Sequence, residues 1–250
     1  MRDVGVTWAG THRFTAAELV EAMTVDDVRA AVRAAPGRVK ALGTRHSFND
    51  IADTDGTLIS VENLAEEPHI DLSDPAHPTV TACAGIRYGV LGEWLQRRGW
   101  ALHNTGSLPH ISVAGATATG THGSGARNGC QSTALRKMDY VDADGELRTS
   151  RLGEPDFEAL AVGVGAFGII TSVTLGIQPT YDVRQDVYTG MPWDALLTHT
   201  PEILADAYSV SIFTTWTEPT VQQIWRKSGV GLDAAPPDEW RGARRETEAD

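Results

Sequence analysis

The spacing of hydrophobic and polar positions predicts short strands mixed with helices over the first 178 residues. Apolar residues recur at helical spacing in residues 25–32, between the capping residue Thr24 and the helix-breaking pair at 36–37. A second helical stripe covers residues 88–98 and ends at Gly99. Alternating or β-branched runs predict strands at residues 39–42, 57–61 and 169–177. Two hairpins are also predicted, one with Ile70 and Val80 flanking its turn and one that turns between residues 140 and 147.

After Thr180 the pattern changes to strands of a second unit, predicted at residues 208–216 and 221–225. Residues 228–250 contain Ala-Ala-Pro-Pro, many charges and few apolar anchors, a composition typical of disorder. We therefore expect three parts. Residues 1–178 form an α+β domain, residues 179–227 begin another domain, and residues 228–250 are a divergent, disordered tail.

Composition narrows the class of partner. The chain has 250 residues, 41% of them hydrophobic, which is enough to bury a full core. Its net charge of -12 disfavours nucleic acid and anionic membrane surfaces, so a small-molecule partner is expected. Cys83 and Cys130 form no disulfide framework, and the amino terminus lacks the pattern of a signal peptide, which favours a cytoplasmic protein.

The most informative segment is the small-residue segment, residues 107–125. From Ala114 onward almost every side chain is that of Gly, Ala, Ser or Thr. Such a backbone can approach a bulky anionic ligand closely and present its N–H groups as donors. The segment therefore predicts part of a cofactor site, although Gly-rich loops without a ligand are common.

Three simpler motifs fail on their context. Residues 163–168 match GxGxxG, but a helical stretch precedes them and a β-branched run follows, so a Gly-rich turn feeding a strand is expected instead of a Rossmann site. Residues 115–120 have P-loop glycine spacing without the required Lys. His103, His110 and His122 lack the spacing of a metal site, so no metal is expected.

A second segment, residues 41–49 (the His46 loop), joins a predicted strand to a donor-rich loop around His46. Together with the small-residue segment and Trp8-Ala-Gly, it resembles the flavoprotein oxidases of the vanillyl-alcohol oxidase type, most closely the alditol (xylitol) oxidases. The resemblance covers residues 4–227. It implies an FAD-binding domain of PCMH type, made of two small α+β subdomains, followed by the start of a substrate domain.

The resemblance also implies the site. Residues 41–47 would wrap the FAD pyrophosphate, with His46 bonded covalently to the flavin 8α carbon as a neutral nucleophile. Ser107 would face the substrate as well as the flavin, while Arg45 could pair with a phosphate, pair with a carboxylate or face solvent. The residues expected to bind the cofactor are Ala41, Leu42, Gly43, Thr44, Arg45, His46, Ser47, Ser107, Ser112, Gly115, Ala116, Thr117, Ala118, Gly120, His122 and Ile170.

The implied reaction is oxidation of the CH–OH group of a polyol such as xylitol or sorbitol to the aldehyde, with O2 reduced to H2O2. A sugar-1,4-lactone oxidase is the related alternative. The resemblance fades after Trp225-Arg-Lys, so we expect a truncated or frameshifted chain with impaired activity. A non-catalytic flavin-binding module and one half of a split enzyme remain open.

Overall fold

The computed structural model describes residues 4–231 and 236–246. These residues form two compact units, one of residues 4–122 with 130–179 and the other of residues 123–129 with the described residues from 180 onward. The boundary expected after residue 178 thus falls one residue before the end of the first unit. Residues 123–129 are expected in the first domain, whereas in the structure they belong to the second unit.

A three-stranded parallel sheet opens the first unit, with the strand order β1-β3-β2. Its strands are β1 (Glu18–Glu21), β2 (Val39–Leu42) and β3 (Thr57–Ser60), and α1 (Val25–Ala34) connects β1 to β2. The Thr24 hydroxyl accepts a hydrogen bond from Asp27 N–H at 3.1 Å, and the Asp27 carboxylate accepts one from Thr24 N–H at 2.9 Å. This capping box sets the predicted start of α1.

The larger sheet of the first unit is antiparallel throughout, in the order β4-β5-β9-β7-β8. Ile70 and Val80 flank the turn of the predicted hairpin and lie opposite each other, and Gly145 supplies the positive φ (74°) of the turn between β7 and β8. Its strands are β4 (His69–Asp71), β5 (Thr79–Cys83), β7 (Leu135–Val141), β8 (Leu147–Arg151) and β9 (Ile169–Gly176), while β6 (Trp100–Ala101) pairs with β10 (Gln178–Pro179).

Helices cover the core of this unit. Leu91 and Leu95 of α2 (Tyr88–Gln96) are fully buried, as the helical stripe predicts. A short helix, α3 (Val113–Thr117), lies inside the small-residue segment, where the sequence analysis predicted no helix. The helix α4 (Phe157–Ala161) precedes the Gly-rich turn at residues 163–168, which leads into β9 as expected.

The second unit is built on an antiparallel sheet in the order β13-β15-β11-β17-β16. Its core contains the fully buried Tyr188, Met191, Ile203 and Ile224. The elements are β11 (Val183–Thr189), β12 (Met191–Pro192), α5 (Trp193–Thr198), α6 (Thr200–Ala205), β13 (Ser209–Phe213), β14 (Thr220–Val221), β15 (Gln223–Gly229), β16 (Glu239–Trp240) and β17 (Ala243–Arg245), with β12 paired to β14.

The expected disorder of residues 228–250 requires correction where the structure describes them. Residues 228–229 complete β15, and β17 pairs with both β11 and β16. The Trp240 ring lies 5.3 Å from that of Tyr188, and Ala243 is fully buried. Strand pairing with β11 and two buried apolar side chains hold this hairpin in place, which average composition does not reveal. Residues 232–235 and 247–250 lie outside the described residues.

No helix in the described part of the chain combines the length and the apolar character needed to cross a lipid bilayer.

Candidate cofactor site

A cavity of about 550 Å³ opens in the first unit. Its volume is in the range of small-molecule and cofactor sites. Three stretches surround it: the His46 loop, the small-residue segment and the Gly-rich turn before β9. The lining consists of Lys40, Ala41, Leu42, Gly43, Thr44, Arg45, His46, Ser47, Phe48, Asn49, Ile51, Ala52, Val61, Leu108, Ile111, Ser112, Ala114, Gly115, Ala116, Ala118, Thr119, Thr121, Val164, Gly165, Gly168 and Ile170.

The His46 loop lies entirely on this cavity. The strand β2 ends at Leu42, and the chain continues through Gly43 into a loop in which Arg45 has a positive φ of 61°. Backbone N–H groups of residues 43–47 donate no hydrogen bond to any other described residue. They are therefore available to an anionic ligand, as is typical of phosphate-binding loops.

Ser112 joins the two predicted segments. Its backbone N–H donates to Thr44 Oγ1 at 3.1 Å, across 68 positions of sequence. A Cβ atom at Gly43 would lie 2.6 Å from Ser112 Oγ, and one at Gly115 would lie 2.7 Å from the same atom. Ser112 is 4% exposed. A side chain at either glycine would thus require the Ser112 hydroxyl to shift.

The helix α3 explains why the small-residue segment is only partly on the cavity. Ala114, Gly115, Ala116 and Ala118 line it with minimal side chains. Thr117 is fully buried, and its hydroxyl donates to the carbonyls of residues 113 and 114, both at 3.1 Å. The Thr117 hydroxyl therefore satisfies the helix backbone rather than a ligand.

Three further predicted residues, together with Thr117, lie outside the cavity lining of the described structure. Ser107 is exposed and precedes the lining residue Leu108. Gly120 takes a positive φ of 67° just after α3, and His122 is exposed and forms a β-bridge with Cys130. The lining is thus discontinuous beyond α3, since Thr119 and Thr121 border the cavity while Gly120 and His122 do not.

The Gly-rich turn was rejected as a Rossmann fingerprint, yet it borders the cavity. Val164 N–H donates to the carbonyl of Ala118 at 3.0 Å, which joins the turn to the small-residue segment. Gly168 has a φ of 141° and packs against the Val141 carbonyl. The predicted residue Ile170 lies on the lining just beyond this turn.

The surroundings of His46 favour its neutral form. Its Nδ1 lies 3.0 Å from the Thr44 carbonyl, while its Nε2 is buried without a hydrogen-bond partner among the described residues. Burial is the main cause that lowers the pKa of His46, and the charges of His110 and Arg87 lower it further, against the opposing bond to Thr44. A neutral imidazole keeps a lone pair for a nucleophilic role.

Arg45 takes one of the three roles left open by the sequence. Its guanidinium lies 3.5 Å from the Glu62 carboxylate, which also contacts Arg87 at 3.3 Å. The Arg45 Nε donates to the carbonyl of Val4 at 3.3 Å. A carboxylate is therefore its partner here, and the shared acid offsets the positive charge of both arginines.

Two rings that contact His46 were not among the predicted site residues. Trp8 and His110 both contact its imidazole, although neither belongs to the cavity lining among the described residues. Both residues sit in the quoted motifs, but no periodic pattern brings position 8 to position 46. The apolar lining residues Phe48, Ile51 and Val61 were likewise not among the predicted site residues.

The chemical features of the cavity fit FAD. The cavity offers unused N–H groups for phosphates, small side chains beside a large planar group, and a buried His46 Nε2 that lacks a partner. No group of three or more His, Cys, Asp or Glu side chains arranged for a metal ion occurs within residues 4–231 and 236–246.

Residues 16–151 match the FAD binding domain family, and the chain belongs to this family. The chain is 38% identical over 229 residues to an alditol oxidase from a Streptomyces species, covering 91% of this chain and 54% of that protein. It is 31% identical over 261 residues to a putative D-arabinono-1,4-lactone oxidase of Neurospora crassa, covering 94% and 45%. The resemblance drawn from the motifs is thereby confirmed.

The fold is likewise similar to a solved structure, a cholesterol oxidase from Brevibacterium sterolicum. The TM-score is 0.74 at 20% identity, covering 88% of this chain and 46% of that one. The predicted fold class, a PCMH-type FAD-binding domain of mixed α and β structure, is confirmed. The chain spans about half the length of the curated relatives it matches.

Proposed function

We propose that FAD occupies the cavity of the first unit, with its pyrophosphate against the N–H groups of residues 43–47. The flavin would lie beside the small side chains of α3, and Ile170 would meet the adenine end. The observation that carries this proposal is the meeting of the His46 loop and the small-residue segment at Ser112, which brings two distant motifs to one cavity.

His46 is the residue proposed to attach the cofactor. A ring nitrogen of His46 would bond to the flavin 8α carbon, with loss of one proton from that carbon and one from the imidazole. O2 would take up the remaining electron pair and both protons as H2O2. The lowered pKa of His46 supports this role, since the ring enters the step in its neutral form.

The reaction proposed for the complete enzyme is oxidation of the CH–OH group of an alditol to the aldehyde. Bound FAD supplies the hydride acceptor and passes the electrons to O2, giving H2O2. Ser107 is proposed to face the substrate, from the end of the small-residue segment that lies outside the cavity lining. Similarity to an alditol oxidase over most of this chain supports the substrate class.

Flavin content tests the cofactor proposal. The 250-residue chain is purified, denatured in acid and run on a gel that is inspected for flavin fluorescence. The expected result is fluorescence that stays with the wild-type chain and is absent from His46→Ala, while undenatured His46→Ala retains FAD by absorbance. A wild-type chain that never retains flavin would contradict the proposal.

Peroxide release then tests the reaction. Xylitol and sorbitol are supplied in parallel with D-arabinono-1,4-lactone, and H2O2 is measured. Turnover of the alditols is expected. Turnover of the lactone alone would favour the lactone oxidase, a class to which the chain is also similar. A flavin-loaded chain without turnover would indicate a binding module, or one part of an enzyme completed by another polypeptide.

A further inference from the structure

Three aromatic rings form a cluster behind the cavity, defined here as Trp8, His46 and His110. The Trp8 and His46 rings stack with centroids 5.1 Å apart and planes 25° apart. The His46 and His110 centroids are 4.3 Å apart, and those of Trp8 and His110 are 5.8 Å apart. Of the three, only His46 belongs to the cavity lining among the described residues.

The backbone holds both neighbours of His46 in place. Trp8 N–H donates to the Arg45 carbonyl at 2.8 Å, directly beside His46 in the chain. His110 lies between two carbonyls that accept hydrogen bonds from the first turn of α2: Pro109 from Gly89 N–H at 2.7 Å, and Ile111 from Tyr88 N–H at 3.0 Å. The backbone that carries each ring is therefore held by hydrogen bonds.

We propose that Trp8 and His110 are positioning residues, whose rings hold the His46 imidazole in the orientation from which it bonds to the flavin. This inference rests on the proposed covalent attachment. A histidine on a half-buried loop otherwise samples several side-chain rotamers. Bond formation needs one of them, and a reacting group misplaced by about 1 Å reacts about a hundredfold more slowly.

His110 also acts through charge. Two imidazoles at this separation resist carrying a proton at the same time, since like charges in a poorly solvated place repel. Arg87 adds a positive charge near His46, and Glu62 bridges Arg87 and Arg45. With these groups around it, His46 stays neutral and keeps its nucleophilic lone pair to lower pH than an exposed histidine would.

Attachment kinetics test the positioning. The chain and its variants are produced free of flavin under riboflavin limitation, FAD is added, and covalent and total bound flavin are followed separately. We expect Trp8→Ala and His110→Ala to bind FAD as the wild type does but to attach it about a hundredfold more slowly. Trp8→Phe and His110→Phe keep a ring and should attach it at nearly the wild-type rate at neutral pH. Alanine variants that attach FAD at the wild-type rate would overturn the proposal.

The control variant is His77→Ala, which removes an exposed imidazole from the same unit and should change nothing. Thermal unfolding of each variant verifies the fold, and His110→Gln replaces His110→Ala if the latter fails to fold. The pH profile separates charge from packing. Because His110→Phe removes a neighbouring positive charge, the acid limb of its attachment profile should move to higher pH.

A measurement without cofactor separates this inference from the proposed function. NMR of isotope-labelled histidine in the flavin-free chain reports the ring shifts and the pKa of His46. We expect Trp8→Ala to remove an aromatic ring-current shift from His46, and His110→Phe to raise the pKa of His46. A chain that binds FAD without attaching it would contradict the covalent step alone. Unchanged His46 signals in both variants would contradict the positioning role.

Discussion

The two segments that meet at the cavity contribute to it in different ways. Every residue of 41–47 lies on the lining, whereas the small-residue segment contributes only some of its members and leaves Ser107, Thr117, Gly120 and His122 outside it. The first segment is a strand end opening into a loop, so consecutive backbone groups face one place. The second segment contains α3, and a helix presents only one face to any neighbour. A motif rich in small residues therefore predicts where a site lies, but not which of its residues line that site.

The largest effect is expected from a substitution that disrupts the junction between the two segments. Gly43→Val places a branched side chain against Ser112 Oγ, which a Cβ atom alone would approach to 2.6 Å. We expect a loss of about 1–3 kcal/mol of unfolding free energy from overpacking and at least about tenfold weaker FAD binding. Chemical denaturation and flavin titration measure the two effects.

A control variant and a double mutant make this test more specific. Gly37→Val is the matched control, because a Cβ at exposed Gly37 meets no described atom within 4 Å. Gly43→Ala should be partly rescued by Ser112→Ala, which removes the hydroxyl and leaves only the Ser112 Cβ at 3.5 Å. Strictly additive effects in this double mutant would contradict the packing explanation.

A loss of stability alone should follow from removing the hydrogen bond across the junction. Thr44→Val keeps the shape of the side chain but takes away the acceptor for Ser112 N–H, which lies in a 4%-exposed residue. An unsatisfied buried donor costs about 1–3 kcal/mol. The measurement is unfolding free energy, with Thr133→Val as the control, since that hydroxyl is exposed and bonds only locally. Equal losses in the two variants would argue against the junction.

The secondary structure shows which elements the sequence pattern predicts and which it does not. Strand and helix periods predicted β2, α1, α2 and β9 to within two residues at each end, because burial of one face leaves a period in the sequence. The helix α3 has five residues, all small or β-branched, and so carries no such stripe. Its formation depends on tertiary hydrogen bonds, such as Val113 N–H to the Ile86 carbonyl at 2.8 Å.

The residues of the cavity were likewise only partly predictable from the sequence. Resemblance pointed to the His46 loop and to Ser112, Gly115, Ala116 and Ala118, all of which lie on the cavity. The contact of Trp8 with His46 was out of reach, because a packing contact across 38 positions of irregular chain leaves no pattern. The β16–β17 hairpin escaped for a related reason, since its contacts with β11 and the burial of Trp240 and Ala243 leave no periodic pattern in the sequence.

A pH effect tests the environment of His46 within its loop. Its folded-state pKa is lowered, mainly by burial, so between that pKa and the unfolded value near 6.5 the unfolded chain binds more protons. Its contribution to stability is therefore present above about pH 6.5 and is lost as pH falls through the lowered pKa. Unfolding free energy should depend less on pH in this window for His46→Gln than for the wild type. An unchanged dependence would contradict the burial of this imidazole.

The smallest effect is expected at the end of the small-residue segment. Ser107→Ala should leave FAD content and thermal stability unchanged, because Ser107 is exposed and outside the lining of the described cavity. If it faces the substrate as proposed, only the turnover of alditols falls. Flavin absorbance and peroxide release distinguish these results, and a loss of FAD from this variant would place Ser107 in the cofactor site instead.

The central claim is that the cavity where the His46 loop meets the small-residue segment holds FAD. Its most direct test is a titration of flavin-free His46→Ala with FAD, monitored by flavin fluorescence, beside the double variant His46→Ala/Gly43→Val and the control His46→Ala/Gly37→Val. Saturable binding of one FAD per chain is predicted for His46→Ala and the control, with at least about tenfold weaker binding in the Gly43 variant. Equal affinity in all three folded proteins, or no binding in any of them, would contradict the claim.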